Sequence, residues 1–312
     1  MSETTDAGAV RGTIRPLGMI GLGAMGAPIC RRLIAAGYQM AVFDVDAAAA
    51  PAWRAEGARF ADSPEEVAGR ARIVLLSLPG PPEVEAVIAG PAGLLAAAQP
   101  GDVIVDLSTN AYATVLAMSE AAAKVGVHFV DAPVSGGVAG AVKGRLAVMA
   151  GGEAAVIARI EPILAAFAAR VFHAGPAGMG TMAKLVNNQI FLTAATAVQE
   201  GLVLAAKAGF DSGQLLEILK ASSAAGYVGM APLFLNRAFD EVMFRLGLAH
   251  KDLSLALQSA DDLGVPMPQT KAALATYQDA IDKGLGGKVF YATLAALEAN
   301  AGTQVAKPEP AP

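Results

Sequence analysis

Short apolar runs and longer amphipathic stretches alternate through the first half of the chain. The runs "PLGMIG", "YQMAVFD", "ARIVLLSLP", "DVIVDLS", "VHFVDAPVS" and "LAVMAGG" are bounded by turn residues. Their shortness and apolar character predict strands. Between them, residues near 24–36, 47–56, 82–89, 111–125 and 153–169 repeat apolar positions at helical spacing. Such β–α repeats predict a mainly parallel sheet covered by helices on both faces. "RVFHAG", 170–175, predicts a last strand. After Gly175 the strand signal stops. Helical periodicity runs through 178–208, 212–221, 229–240, 247–263, 268–283 and 290–300, separated by "GFDSG", "GVPMP" and "GLGG". The expectation is an α/β domain over 14–176 and an all-α domain over 177–302, joined by one long helix. Residues 1–13 are expected to be a disordered leader and 303–312 a disordered tail.

The first strand leads into "GMIGLGAMGAPICRRLIAAGY", which carries Gly21-x-Gly23-x-x-Gly26 with Met25 inside it. Gly21 permits the tight turn, Gly23 lets the backbone approach a diphosphate, and Gly26 lets helix and strand pack closely. The helix start adds free N–H groups and a positive dipole end. The next strand ends at Asp44, 23 residues after Gly21. A carboxylate there accepts both ribose hydroxyls and repels a 2′-phosphate, which favours NAD over NADP. Asp46 is a lesser candidate for the same duty. The plain alternative is a glycine turn at a helix start. The first domain is thus expected to be a Rossmann-type dinucleotide-binding fold.

"SLPGPPEV" and "DLSTN" close two further strands. Ligands of open α/β sheets lie beyond the carboxyl ends of strands. Leu78 and Pro79 are therefore candidates to cover the ribose or adenine, and Thr109 to reach the nicotinamide end. Cap or turn duty is the alternative for each.

A second glycine-rich loop, "DAPVSGGVAGAVKG", follows a strand at 131–144. Ser135, Gly136 and Gly137 offer N–H groups and a hydroxyl to a carboxylate. Downstream, "GPAGMGTMAKLVNNQI" puts Lys184 on an apolar helix, with Asn187 and Asn188 three and four residues on. Lys184 and Asn188 share a helix face. A lysine stripped of water gives up its proton more readily, which suits a general acid/base. The alternative is a lysine that snorkels to water beside a structural amide pair. The boundary between domains, where Lys184 lies, is a common place for a ligand. In "MFRLGLAHKDLSLAL", Lys251 and Asp252 are expected to begin a helix, with Phe244 just upstream. Lys251 is a candidate contact for the substrate carboxylate or the nicotinamide, and Phe244 a shield against water.

Composition narrows the classes. The chain has 312 residues, 54% hydrophobic and 16% charged, with a net charge of −5. That supplies a sizeable core and argues against a nucleic-acid or anionic-membrane surface. The single cysteine, Cys30, cannot form an internal disulfide, and a cytoplasmic setting is expected. No uninterrupted apolar run of about 18 residues occurs, so no membrane span is expected. His128, His173 and His250 show no ligand spacing with Cys30, and no metal is expected.

Four ordered signatures, "GLGAMGAPI", "DAPVSGGVAGAVKG", "GPAGMGTMAKLVNN" and "KDLSLAL", run through residues 16–300. Through them the chain resembles the β-hydroxyacid dehydrogenase family, which includes 3-hydroxyisobutyrate dehydrogenases and tartronate semialdehyde reductases. The resemblance implies Lys184 as acid/base, Ser135, Gly136 and Gly137 on the substrate carboxylate, and Asn188 orienting the reacting oxygen. It also implies that Thr109 and Lys251 contact cofactor or substrate, and that the protein is a homodimer or homotetramer. Members often carry Asp in a G-x-G-x-x-D stretch near the C-terminus, and "GLGGKVFYA" has Phe290 at about that place. Relatives using NADP often have Asn-Arg-Thr where Asp44-Val45-Asp46 stands. The chain is similar in part to 6-phosphogluconate dehydrogenase, but that family carries His-Asn after its lysine and is longer.

The expected activity is hydride transfer between a nicotinamide cofactor and a small 3-hydroxy acid, or reduction of its semialdehyde. Two rivals make different predictions. An imine or ketone reductase on this scaffold would turn over neutral substrates. A non-catalytic NAD-binding sensor would bind cofactor without turnover.

Overall fold

The computed structural model describes residues 16–306. The expected leader therefore lies outside the described residues. The chain divides into two compact units, one ending at Lys184 and the other beginning at Leu185.

The first unit opens with β1 (Leu17–Ile20), α1 (Gly26–Ala35), β2 (Met40–Phe43), α2 (Ala50–Ala55), β3 (Arg59–Phe60) and α3 (Pro64–Arg70). It continues with β4 (Ile73–Leu76), α4 (Pro81–Ala89), β5 (Val103–Asp106), α5 (Tyr112–Lys124) and β6 (His128–Asp131). Then come β7 (Val134–Ser135), α6 (Gly137–Lys143), β8 (Leu146–Gly151), α7 (Ala154–Leu164) and β9 (Ala168–Gly175). The strands form one sheet in the order β3-β2-β1-β4-β5-β6-β8-β7, with β9 beside β8. Pairing is parallel from β3 to β6, and β8 runs antiparallel to both β6 and β7.

Alternation along the strands builds two apolar layers. Leu17, Met19, Met40, Val42, Leu75, Val103, Val105 and Val130 face one layer. Ile20, Ala41, Val74, Leu76, Ile104 and Phe129 face the other. Helix α1 fills the first layer with Ile29, Cys30 and Leu33, a helical stripe, and α7 adds Ile157, Ile160 and Leu164. Val67 of α3, Val84 and Ile88 of α4, and Val115 and Met118 of α5 fill the second. Cys30 has no exposed surface, and burial pushes its thiol up to about 12.

Helix α8 (Met179–Lys207) runs through the division between the units. The second unit continues with α9 (Ser212–Lys220), α10 (Ala231–Asn236), α11 (Leu246–Asp262), α12 (Pro268–Asp282) and α13 (Thr293–Ala301). Its core gathers Leu192, Leu202, Phe234, Leu253, Tyr277, Phe290 and Tyr291. By length and composition α8 could cross a membrane. Core helices of globular proteins pass the same test, and α8 carries Lys184, Asn187 and Asn188.

Several details differ from expectation. β3 and α3 are not among the expected elements, and β7 separates from β6 as a short strand of its own. Lys251 and Asp252 lie in the second turn of α11 rather than at its start. The start of the expected tail is packed. Val305 is buried, its N–H donates to Glu298 Oε1 at 2.8 Å, and Ser212 Oγ donates to Ala306 O at 2.7 Å. One apolar side chain and a satisfied backbone hold a segment that polar composition made look loose.

Candidate active site

The glycine loop between β1 and α1 is tight at two positions and open at one. Gly21 has φ +88°, and a Cβ there would lie 2.2 Å from Ser77 O. A Cβ on Gly26 would lie 1.9 Å from Gly21 O. One on Gly23 would meet nothing within 4 Å. The turn is closed from inside and bare outside, which fits a dinucleotide's diphosphate against the backbone. Met25 leads directly into α1, whose first turn holds no acidic residue to compete with a phosphate.

Asp44 follows β2 and faces this loop. Its Oδ2 accepts from Leu22 N at 2.6 Å, and its Oδ1 from Asp46 N at 2.9 Å. Asp46 instead caps the next turn through Ala48 N at 3.1 Å. Of the two acids, only Asp44 bonds the glycine loop.

A network supports the neighbouring loops. Asp106, at the end of β5, is buried and accepts from Ser108 N at 3.0 Å and from Asn110 Nδ2 at 3.2 Å. Ser108 Oγ in turn accepts from Leu78 N at 2.9 Å. Leu78 thus reaches the glycine loop, 3.1 Å from a Cβ placed on Gly21. Pro79 and Thr109 sit beside these held residues in the chain. The ring of Asp106, Ser108 and Asn110 is absent from the expected set. "DLSTN" signalled it, since Asp, Ser and Asn spaced by two residues favour such local bonds.

Beyond β7 the backbone turns left-handed twice, at Gly136 (φ +128°) and Gly137 (φ +62°). Gly137 opens α6 and has free space around its Cβ position. Ser135 pairs with Ala147 and is half-buried. Lys184, also half-buried, donates from Nζ to Val134 O at 2.8 Å. The lysine amine therefore stands at the backbone oxygen just before Ser135-Gly136-Gly137. The lysine amine and the turn of bare amides come together within the first unit, a pair suited to a carboxylate and a reacting oxygen.

The second unit holds its own polar chain. Asn188 is buried and donates from Nδ2 to Asp252 Oδ2 at 2.6 Å. Its Oδ1 accepts from Asn187 Nδ2 at 3.0 Å. Lys251 Nζ lies 3.1 Å from Asp252 Oδ1. Asp252, buried and outside the expected set, ties the three together and explains how two amides sit on an apolar helix. Phe244 packs on Phe290 with ring centroids 6.1 Å apart, and Phe290 N donates to Phe244 O at 2.8 Å. Phe290 also meets Phe191 and Phe234, so an aromatic core forms around it.

Among the described residues no three His, Cys, Asp or Glu side chains gather as a metal site. His128 Nδ1 lies 3.2 Å from Glu153, and His173 Nε2 contacts Gly152 O and Gly175 O.

Comparison with known proteins shows the family. Residues 16–175 match the family model described as the NAD binding domain of 6-phosphogluconate dehydrogenase. Residues 178–297 match the one described as NAD-binding of NADP-dependent 3-hydroxyisobutyrate dehydrogenase. A 2-(hydroxymethyl)glutarate dehydrogenase of Eubacterium barkeri is 36% identical, over 93% of this chain and 97% of its own. A 3-hydroxyisobutyrate dehydrogenase of Pseudomonas aeruginosa is 35% identical, over 81% and 87%. Among solved structures, a Mycobacterium tuberculosis 3-hydroxyisobutyrate dehydrogenase with L-serine superposes with a TM-score of 0.84 at 29% identity, covering 91% of this chain and 99% of that one. The chain belongs to the β-hydroxyacid dehydrogenase family, nicotinamide-dependent oxidoreductases acting on small hydroxyacids.

Proposed function

We propose that the protein oxidises a small 3-hydroxy acid, or reduces the matching semialdehyde, with Lys184 as general acid/base. The observation that carries this reading is the 2.8 Å bond from Lys184 Nζ to Val134 O, at the mouth of the Ser135-Gly136-Gly137 loop. The substrate carboxylate takes the Ser135 hydroxyl and the amides of Gly136 and Gly137. Lys184 takes the hydroxyl proton in oxidation and returns it in reduction, its cation stabilising the alkoxide between. The bound nicotinamide supplies the hydride chemistry. Asn188, its amide oriented by Asp252 and Asn187, aligns the reacting oxygen. Lys251 contacts carboxylate or nicotinamide, and Phe244 excludes water.

The cofactor is NAD rather than NADP. The carboxylate of Asp44, held by Leu22 N, supports this because it accepts ribose hydroxyls and repels a 2′-phosphate. Gly21, Gly23, Met25 and Gly26 take the diphosphate, Leu78 and Pro79 the adenosine side, and Thr109 the nicotinamide side. We also propose a cytoplasmic setting, supported by one buried free cysteine, and a homo-oligomer. An apolar cavity of about 570 Å³ in the second unit, lined by Ile190, Val198, Leu215 and Leu219, supports the homo-oligomer.

The test follows nicotinamide absorbance with NAD or NADP and a panel of 3-hydroxy acids, for wild type and Lys184→Ala. Turnover with NAD should fall roughly a hundredfold or more in the variant, with cofactor affinity nearly unchanged. Near-normal turnover of the variant would remove Lys184 from the mechanism. Turnover of neutral ketones or imines in place of acids would overturn the substrate class.

A further inference from the structure

Strand β6 ends in a carboxylate with no exposed surface, Asp131. Each of its oxygens takes one backbone N–H from the start of α8. Oδ1 accepts from Gly178 N at 2.8 Å, and Oδ2 from Thr181 N at 2.6 Å. These are donors that a helix N-terminus leaves without intrahelical partners. The backbone contacts around them are equally close. A Cβ on Gly180 would lie 2.2 Å from Met149 O and 2.6 Å from Asp131 O. One on Gly151 would lie 2.5 Å from Asp131 Oδ1 and 2.8 Å from Gly180 N. The first turn of α8 therefore rests on the backbones of β6 and β8, with the Asp131 carboxylate as the side chain between them.

Three residues after Asp131, Val134 O receives the Lys184 amine. Three residues after Thr181 comes Lys184 itself. The linking segment is anchored too, with Ala132 N donating to Asp106 O at 2.7 Å and Met149 N to Pro133 O at 3.0 Å. One short stretch of chain thus holds the helix at its start and the lysine at its tip. We propose that Asp131 is a positioning residue for Lys184, fixing the register of α8 so that the amine stands at the substrate-carboxylate loop. The proposal rests on the reading of Lys184 as acid/base. A slip of one residue along α8 moves the lysine by about 1.5 Å and turns it through roughly 100°. Displacements of that size cost up to about a hundredfold in rate.

An amide cannot replace this carboxylate. Asparagine has one acceptor oxygen, and its NH₂ would face the second N–H. Glutamate keeps both acceptors but displaces them by one methylene. The experiment compares full-length wild type, Asp131→Asn, Asp131→Glu, Lys184→Ala and the double variant Asp131→Asn/Lys184→Ala. Folding is followed by circular dichroism, and kcat and KM with NAD and the best acid of the panel. Both Asp131 variants should lower kcat at least tenfold while KM for NAD stays within about twofold. In the Lys184→Ala background the Asp131→Asn change should alter the residual rate less than about twofold, because the group it positions is gone.

Should Asp131→Asn refuse to fold, Asp131→Glu carries the same comparison. A folded variant with wild-type kcat would overturn the proposal. So would an equal fold-loss in both backgrounds, or failure of both variants to fold, since each marks a structural role alone. Near-normal turnover in Lys184→Ala is a separate outcome, read with Asp131 intact, and overturns the lysine reading itself.

Discussion

Gly23 and Gly26 share one loop and tolerate a methyl group to opposite degrees. At Gly26 the added carbon meets the carbonyl of Gly21 at 1.9 Å, and neither backbone can yield without opening the β1–α1 turn. Gly26→Ala should destabilise the chain by about 1–3 kcal/mol or more in a denaturant titration. At Gly23 nothing stands within 4 Å. Gly23→Ala should leave stability within about 0.5 kcal/mol of wild type. Its methyl group would stand where the diphosphate must approach. NAD affinity, read by titration of intrinsic fluorescence or by calorimetry, should fall at least tenfold, about 1.4 kcal/mol. An affinity as in wild type would mean that the diphosphate does not use this face of the loop.

At the scale of elements, a carboxylate at a helix start meets two opposed forces at Asp131. Burial raises it to about 6, against the Gly178 and Thr181 N–H groups that favour its ionised form. In the unfolded chain an aspartate loses its proton near pH 4. Between about pH 4 and 6 the folded chain therefore holds more protons than the unfolded one. This contribution to stability is whole below about pH 4 and fades as the pH rises through about 6. Asp131→Asn should remove that slope from the midpoints of denaturant titrations run between pH 4 and 7, and an unchanged slope would assign it elsewhere.

The same element shows what a sequence does and does not carry. The β–α alternation, the long helix and the loops of small residues were legible because each has a period or a turn chemistry of its own. β3 escaped because two residues carry no period. α3 need not have escaped, since "SPEE" is a capping signature and Ser63 Oγ does accept from Glu66 N at 3.1 Å. At the site, Lys184 and the glycine loops stood out by type and place. Asp252 and Asp131 did not, because their partners lie 64 and 47 to 50 residues away, a separation no local pattern encodes.

For the whole molecule, the second unit leaves apolar surface uncovered. Leu204 on α8 is 73% exposed and Ile190 57%, beside the cavity formed with α9. The proposed cover is a second copy of the chain. Leu204→Glu together with Ile190→Glu should weaken self-association at least thirtyfold, about 2 kcal/mol. Light scattering across a dilution series measures it, and a wild type that is monomeric throughout removes the second copy from that face. Cys30 has a different consequence at this scale. It is the sole sulfhydryl of the chain, carried on the inner face of α1 with no exposed surface and held in its protonated form. Peroxides and alkylating agents act on thiolates, so neither finds a handle here. A catalyst that passes two electrons at each turnover therefore keeps its one thiol out of reach of that chemistry while it stays folded.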